Sequence, residues 1–358
     1  MTQIASPDLL RRAASSRTLP DDWDPEGGLP LDGTLERHRF PPLLAVLFGL
    51  IFVFVVFQLV IAPVAVVVLL LARGTPPEGL MEAVLNVMQE QPGVLMVANT
   101  IGQVFGIALP ALWFARLHTR RQAAFLRLRR PEGRLVGLAV LGLVALVPVV
   151  QWLAQASEAL PWPEWIREFE QVQLDLIEKV LEQQIGLLPT LFMLAVTPAL
   201  CEELLFRGYV QRQAERSLGV AGGILFTGLL FGLFHLRLTQ FIPLSVLGIY
   251  LAYLAWRTGS LWPAVVVHFA NNAFAVFLGA YVAARPDLNV SDLENVAIPW
   301  YVLIPALVFF VLFVYAIDRT ARMVLRRRGP VAAASRGRMA TGTESFPQPE
   351  QDDVGSKI

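Results

Sequence analysis

An almost unbroken apolar run from Pro41 to Ala72 fixes the solvent in which this chain folds. A helix crosses the hydrocarbon of a bilayer with roughly 20 apolar residues, so a run of this length predicts a tilted or kinked transmembrane helix, with Pro63 marking the place for a kink. Further runs lie near Val94 to Ala115, Leu135 to Ala156, Gly186 to Arg207, Val220 to Leu236, Phe241 to Trp256, Leu261 to Val282 and Ile298 to Ile317. They predict an all-α, polytopic membrane helical bundle of about eight transmembrane helices in one domain, 41–320. Residues 1–40 read as a flexible cytoplasmic arm without the layout of a cleavable signal peptide. Residues 321–358 read as a tail that is first basic and then, from Gly329, disordered. With 55% hydrophobic and 16% charged residues and a formal net charge of zero, no global field recruits nucleic acid. The single cysteine, Cys201, excludes an intrachain disulfide and a cysteine-rich zinc module.

Orientation follows from arginine. Arg116, Arg120, Arg121, Arg127, Arg129, Arg130 and Arg134 separate the second and third spans, whereas only Arg73 precedes the second. Arg207, Arg212 and Arg216 follow the fourth span, and Arg319, Arg322, Arg326, Arg327 and Arg328 follow the last. The positive-inside rule then puts both termini in the cytoplasm, in what the arginine bias suggests is a bacterial plasma membrane. The acidic segment from Ser157 to Gln184 suits the outer side. Its Trp165, Phe169, Val172, Leu176 and Val180 recur at three and four, as in an interfacial amphipathic helix or a solvated helix packed on the domain.

Ionisable groups inside a span cost at least ~2.5 kcal/mol at mid-bilayer, so each needs a partner or a purpose. The fourth span holds Glu202 and Glu203. Arg207 is four residues from Glu203 and shares its face, while Glu202 points about 100° away and must be satisfied from elsewhere. The fifth span holds His235. A turn at Ser217 to Gly219 would make the two spans an antiparallel hairpin with Glu202 and His235 at one depth. The seventh offers His268 and Asn272, four apart on one face, with Asn271 as an alternative to Asn272. The two hairpins converge on one polar cluster. His38 and His118 lie in polar segments and are expected to be solvated. Gly222, Gly223, Gly228 and Gly232 indicate close helix packing. Pro198, just ahead of the glutamates, either kinks the helix to widen a cavity or is tolerated packing, and Cys201 reads as a small core residue rather than a nucleophile.

The series Glu202-Glu203-x-x-x-Arg207, Phe231-x-x-x-His235 and His268-x-x-x-Asn272, in that order on successive apolar helices, resembles the CPBP intramembrane proteases. That family includes the endopeptidases that trim prenylated CAAX proteins and the Abi, or bacteriocin self-immunity, proteins. The similarity covers roughly 185–282. It implies an all-helical membrane hydrolase in which Glu202 and His235 activate a water and His268 and Asn272 support the oxyanion. Glu203 and Arg207 then shape the site, and Phe231 packs beside it. The implied partners are a membrane-associated peptide or protein substrate and the lipid bilayer, not nucleic acid.

Family members are described both as metalloproteases and as glutamate-type proteases. Glu202, His235 and His268 could supply three zinc ligands with an open fourth position, although the His-Glu-x-x-His signature is absent. Metal-independent hydrolysis, with no cofactor required, is the favoured reading. The rival readings are a non-enzymatic membrane scaffold or immunity protein and a proton-coupled transporter, because paired intramembrane glutamate and histidine also build proton relays.

Overall fold

The computed structural model describes residues 29–182, 185–285 and 296–340. Among these there is no strand, and seven helical rods are long and apolar enough to cross a membrane. The helices are α1 (Pro42–Ala72), α2 (Leu80–Glu90), α3 (Pro92–His118), α4 (Gly133–Glu158), α5 (Glu164–Glu182), α6 (187–218), α7 (220–234), α8 (Phe241–Thr258), α9 (Trp262–Ala283) and α10 (Trp300–Ala340). The difference between eight expected spans and seven rods lies in Leu187–Phe234, a continuous run that folds back on itself at Gly219. α2 is the element the apolar pattern did not reveal.

Gly219 has φ 73° and ψ 173°, a backbone region essentially reserved for glycine. Beyond it the chain reverses so tightly that a Cβ on Gly223 would lie 2.7 Å from the Glu215 amide nitrogen. α6 and α7 therefore form the expected hairpin. α7 then packs on α8 with backbones in near contact, because a Cβ on Gly228 would meet Ile249 and one on Gly232 would meet Ser245. Small residues permit this approach, which brings buried polar groups on neighbouring helices within reach.

Three rods contain π-helical turns placed alike: Val55–Ile61, Val104–Ala108 and Phe192–Val196 each end two residues before a proline, Pro63, Pro110 and Pro198. Proline has no N–H and its ring crowds the carbonyl four residues back, and the widened turn relieves that conflict without breaking the rod. A fourth π-turn, Leu204–Val210, contains no proline and follows directly on Glu202 and Glu203.

Two apolar cores flank the polar helices. In one, Val53, Phe57 and Phe114 from α1 and α3 pack on Leu205, Phe206 and Phe231. In the other, Leu143 and Leu146 of α4 and Ile317 of α10 pack on Leu247, Leu251 and Val267. Large apolar side chains such as Phe48, Leu59, Leu307 and Leu312 are exposed on α1 and α10, the faces lipid would cover.

The arm and tail differ in part from their compositional reading. Residues 29–40 are packed down, with the Gly33 amide donating to the His118 carbonyl and Thr119 Oγ1 donating to the Pro30 carbonyl. The first 28 residues of the expected arm lie outside the described residues. α10 stays helical through Ala340, past Gly329, because alanine and arginine favour propagation of a helix already begun. Residues 341–358 lie outside the described residues.

Candidate active site

The hairpin symmetry sets the register. Arg207 and Phe231 each lie twelve residues from Gly219, and the Arg207 guanidinium stacks 4.3 Å from the Phe231 ring centre. Glu203 and His235 fall level with each other by the same count. α8 runs parallel to α6, with Arg207 Nη2 donating to the Gly248 carbonyl at 3.0 Å and Gln211 donating to Ala252 at 2.9 Å. α9 closes the site from the remaining side.

Glu203 is wholly buried and is the hub. Its Oε1 accepts from Arg207 Nη1 at 2.8 Å and lies 2.9 Å from His268 Nδ1. The i,i+4 pairing with Arg207 was legible in the sequence, but the bond to His268 was not, because it joins residues 65 apart. A carboxylate only accepts, so His268 donates from Nδ1 and presents Nε2 elsewhere.

His235 lies at the end of α7, where its Nδ1 donates to the Phe231 carbonyl at 2.7 Å. A carbonyl has nothing to donate, so Nδ1 carries the proton and Nε2 keeps its lone pair when the ring is neutral. The Phe231 ring touches both imidazoles, its centre lying 4.7 Å from that of His235 and 5.6 Å from that of His268, edge-on to both.

Asn272 projects from the same face as His268 and donates from Nδ2 to the Leu194 carbonyl at 3.2 Å, which ties α9 to the π-turn ahead of Pro198. Asn271 donates to Asn272 Oδ1 at 3.3 Å. Glu202 is half-buried. Its Oε2 is shielded from solvent without a hydrogen-bond partner, as are Glu203 Oε2 and Arg207 Nε. Buried orphan polar atoms are rare in native proteins, and three within one short segment mark a place for water or a substrate group.

The metal-ligand set Glu202, His235 and His268 is not brought together as expected. Among the described residues no three His, Cys, Asp or Glu side chains gather closely enough to hold a metal ion. Each imidazole commits Nδ1, one to the Phe231 carbonyl and one to Glu203, and keeps Nε2. Cys201 is buried in the apolar core with Leu205 and Phe206, where it serves as packing.

Two other residues depart from expectation. His118 is not solvated but fully buried, stacked on Phe125, with Nδ1 2.7 Å from Glu36 Oε1 and Nε2 3.5 Å from the Tyr209 hydroxyl. The folded arm covers it, a tertiary event without local signal. α5 forms as expected, but it buries Ile166 and Glu170 while Trp165 and Phe169 remain more than half exposed. The side chains of Val172, Leu176 and Val180 lie outside the described residues. Glu170 accepts from the Thr239 amide at 3.1 Å and the Thr239 hydroxyl at 2.6 Å, in the turn just after His235. The apolar stripe reads as facing either lipid or the domain; Trp165 and Phe169 of it are exposed, and the polar contact with the turn is made from the neighbouring face.

Residues 184–274 match the family model described as type II CAAX prenyl endopeptidase Rce1-like. The matched stretch is about a quarter of the chain and contains all the residues assembled above on α6, α7 and α9. Comparison with curated proteins and with solved structures found no match.

Proposed function

Residues 184–274 being a segment of the Rce1-like family of CAAX endopeptidases, we propose that this integral membrane protein hydrolyses a peptide bond of a membrane-tethered substrate with a water activated by Glu202 and His235. The observation that carries the proposal is the free Nε2 of His235. With Nδ1 committed to the Phe231 carbonyl, the ring keeps its lone pair on Nε2 within one residue of the level of Glu202 by the count about Gly219, and the buried Oε2 of Glu202 lacks a partner. A water between them would give up a proton as its oxygen attacks the scissile carbonyl.

The tetrahedral oxygen then needs donors. Asn272 has a second amide hydrogen beyond the one given to Leu194, and His268 in its imidazolium form donates from Nε2. Glu203 faces the imidazolium charge through Nδ1, and Arg207 pairs with Glu203 and orients it. Protonated His235 returns its proton to the leaving amine. All the groups needed for hydrolysis are side chains, so the proposal includes no metal step.

The arginine-rich ends of α3, α6 and α8 support a cytoplasmic location for that end of the bundle and for both termini. His268 lies six residues into α9, ~9 Å at 1.5 Å per residue, from the end where Arg127 and Arg257 sit. Access from the cytoplasmic face is consistent with that depth.

The test uses purified protein in liposomes with a quenched fluorogenic peptide ending in a farnesylated CAAX box. Cleavage by the wild type, lost in Glu202→Ala and His235→Ala variants that still fold, is the expected result. Cleavage undiminished in both variants would falsify the assigned site. Should the wild type leave this peptide intact, substrate trapping with Glu202→Gln and mass spectrometry of what co-purifies tests the broader protease reading, and recovery of no membrane peptide overturns it.

A further inference from the structure

His235 belongs to α7 only by its last turn, and a short loop, residues 235–240, then reverses the chain into α8. The loop opens with Leu236 at φ 55°, the left-handed region that a leucine enters only when its surroundings impose it. Its own backbone bonds, Leu236 to Leu233, Gln240 to Arg237 and Phe241 to Leu238, leave the amide and hydroxyl of Thr239 to an outside partner. That partner is Glu170 of α5, which accepts from both.

Glu170 is 4% exposed, although Glu164 and Glu168 on the same helix face solvent. A carboxylate is costly to remove from water and is retained in such a place when its hydrogen bonds are fully used. Apolar packing does not hold this contact closed. A cavity of about 160 Å³ lies between Trp165, Ile166 and Phe169 of α5 and Leu233, Leu236 and Leu238 around the loop. A second polar tie runs from Gln240 Nε2 to Glu158 Oε1 of α4 at 2.9 Å. The loop is thus pinned by hydrogen bonds from α4 and α5, on the side of the site away from the arginines of α3 and α8.

We infer that Glu170 is a positioning residue for His235: by clamping Thr239 it fixes the loop that sets where Nε2 of His235 points, and so makes α5 part of the catalytic apparatus. The inference rests on the proteolytic reading above, and it names a residue outside the motifs that carry that reading. Glu170 touches neither substrate nor reacting atoms, so its effect is exerted through His235 alone.

The experiment compares Glu170→Ala, Glu170→Gln and Thr239→Val in liposomes with the farnesylated CAAX peptide. Loss of the clamp lowers kcat by roughly tenfold to a hundredfold, the scale for a catalytic group misplaced by about 1 Å, with KM little changed. It also moves the acid limb of the pH profile of kcat/KM, which a general loss of folded protein leaves in place. Glutamine can accept from the amide and donate to the hydroxyl, so Glu170→Gln recovers most of the rate. The Glu170→Ala/Thr239→Val double variant is no worse than Glu170→Ala alone. In detergent micelles, ¹⁵N-histidine NMR of Glu170→Ala shows a changed titration for His235 and an unchanged one for His268. A folded Glu170→Ala protein with wild-type kcat, pH profile and His235 titration overturns the inference, as does a Glu170→Gln protein as impaired as Glu170→Ala. If Glu170→Ala does not fold, Thr239→Val, which retains the amide bond, is read by the same measures. Absence of cleavage by the wild type counts against this peptide as substrate and sends the proteolytic reading to the trapping experiment, and the NMR titration then decides the inference.

Discussion

His268 Nδ1 and Arg207 Nη1 share one oxygen of Glu203, at 2.9 and 2.8 Å, and the sharing links α9 to the α6–α7 hairpin through a carboxylate that water does not reach. In this arrangement Glu203 holds the second imidazole, while Oε2 of its neighbour Glu202 has no partner, and the proposed mechanism assigns it the reacting water.

Removing one partner of this buried pair leaves an uncompensated charge. Arg207→Ala is expected to destabilise the fold by about 3 to 5 kcal/mol. Thermal unfolding in detergent measures it, and a variant as stable as wild type would show that Arg207 is not an essential counter-charge.

The tautomer of His235 gives a second expectation. Asparagine there can still donate to the Phe231 carbonyl but offers no basic nitrogen in place of Nε2. His235→Asn should fold normally and lose a factor of roughly 10² to 10⁴ in kcat. Circular dichroism with single-turnover cleavage checks both halves.

Gly219 has open space around its missing Cβ, so a substitution meets only backbone strain. Gly219→Ala should cost on the order of 1 to 3 kcal/mol and loosen the register that sets Glu203 against His235. Gly228→Ala acts differently, because its Cβ would lie 2.7 Å from the Ile249 amide nitrogen and must push α7 from α8. The melting temperature and activity of the two variants separate strain from collision.

The docked arm should respond to acid. Burial raises the Glu36 carboxyl, but hydrogen bonds from His118 and Arg216 outweigh it and hold the group below its ordinary value of 4.5. A carboxyl depressed in the folded state contributes stability fully above pH ~4.5 and loses it as pH falls through the lower folded value. Limited proteolysis of residues 29–40 should therefore accelerate below about pH 4.5, and Glu36→Gln should show the acid behaviour at neutral pH.

Metal dependence is checked directly. Dialysis against a chelator should leave peptide cleavage unchanged, and elemental analysis should find less than one zinc per chain. Activity abolished by chelation and restored by zinc alone would overturn the metal-independent reading.

The sequence by itself determined the solvent, the helices and the hairpin. Apolar runs of bilayer length, proline positions and Gly219 act locally, so their consequences can be read without knowing what lies across the bundle. The i,i+4 pairs, Glu203 with Arg207 and His268 with Asn272, were legible for the same reason. Tertiary structure alone decided which carboxylate His268 meets, that His118 is buried beneath the arm, and that α5 reaches the loop after His235 through Glu170. Each of these depends on groups that local spacing does not bring together. The His268 and Glu170 contacts join residues 65 and 69 positions apart, and the arm reaches His118 from 82 positions away. A buried polar atom takes whichever partner the packed backbone presents, and helix periodicity encodes only which face a side chain occupies.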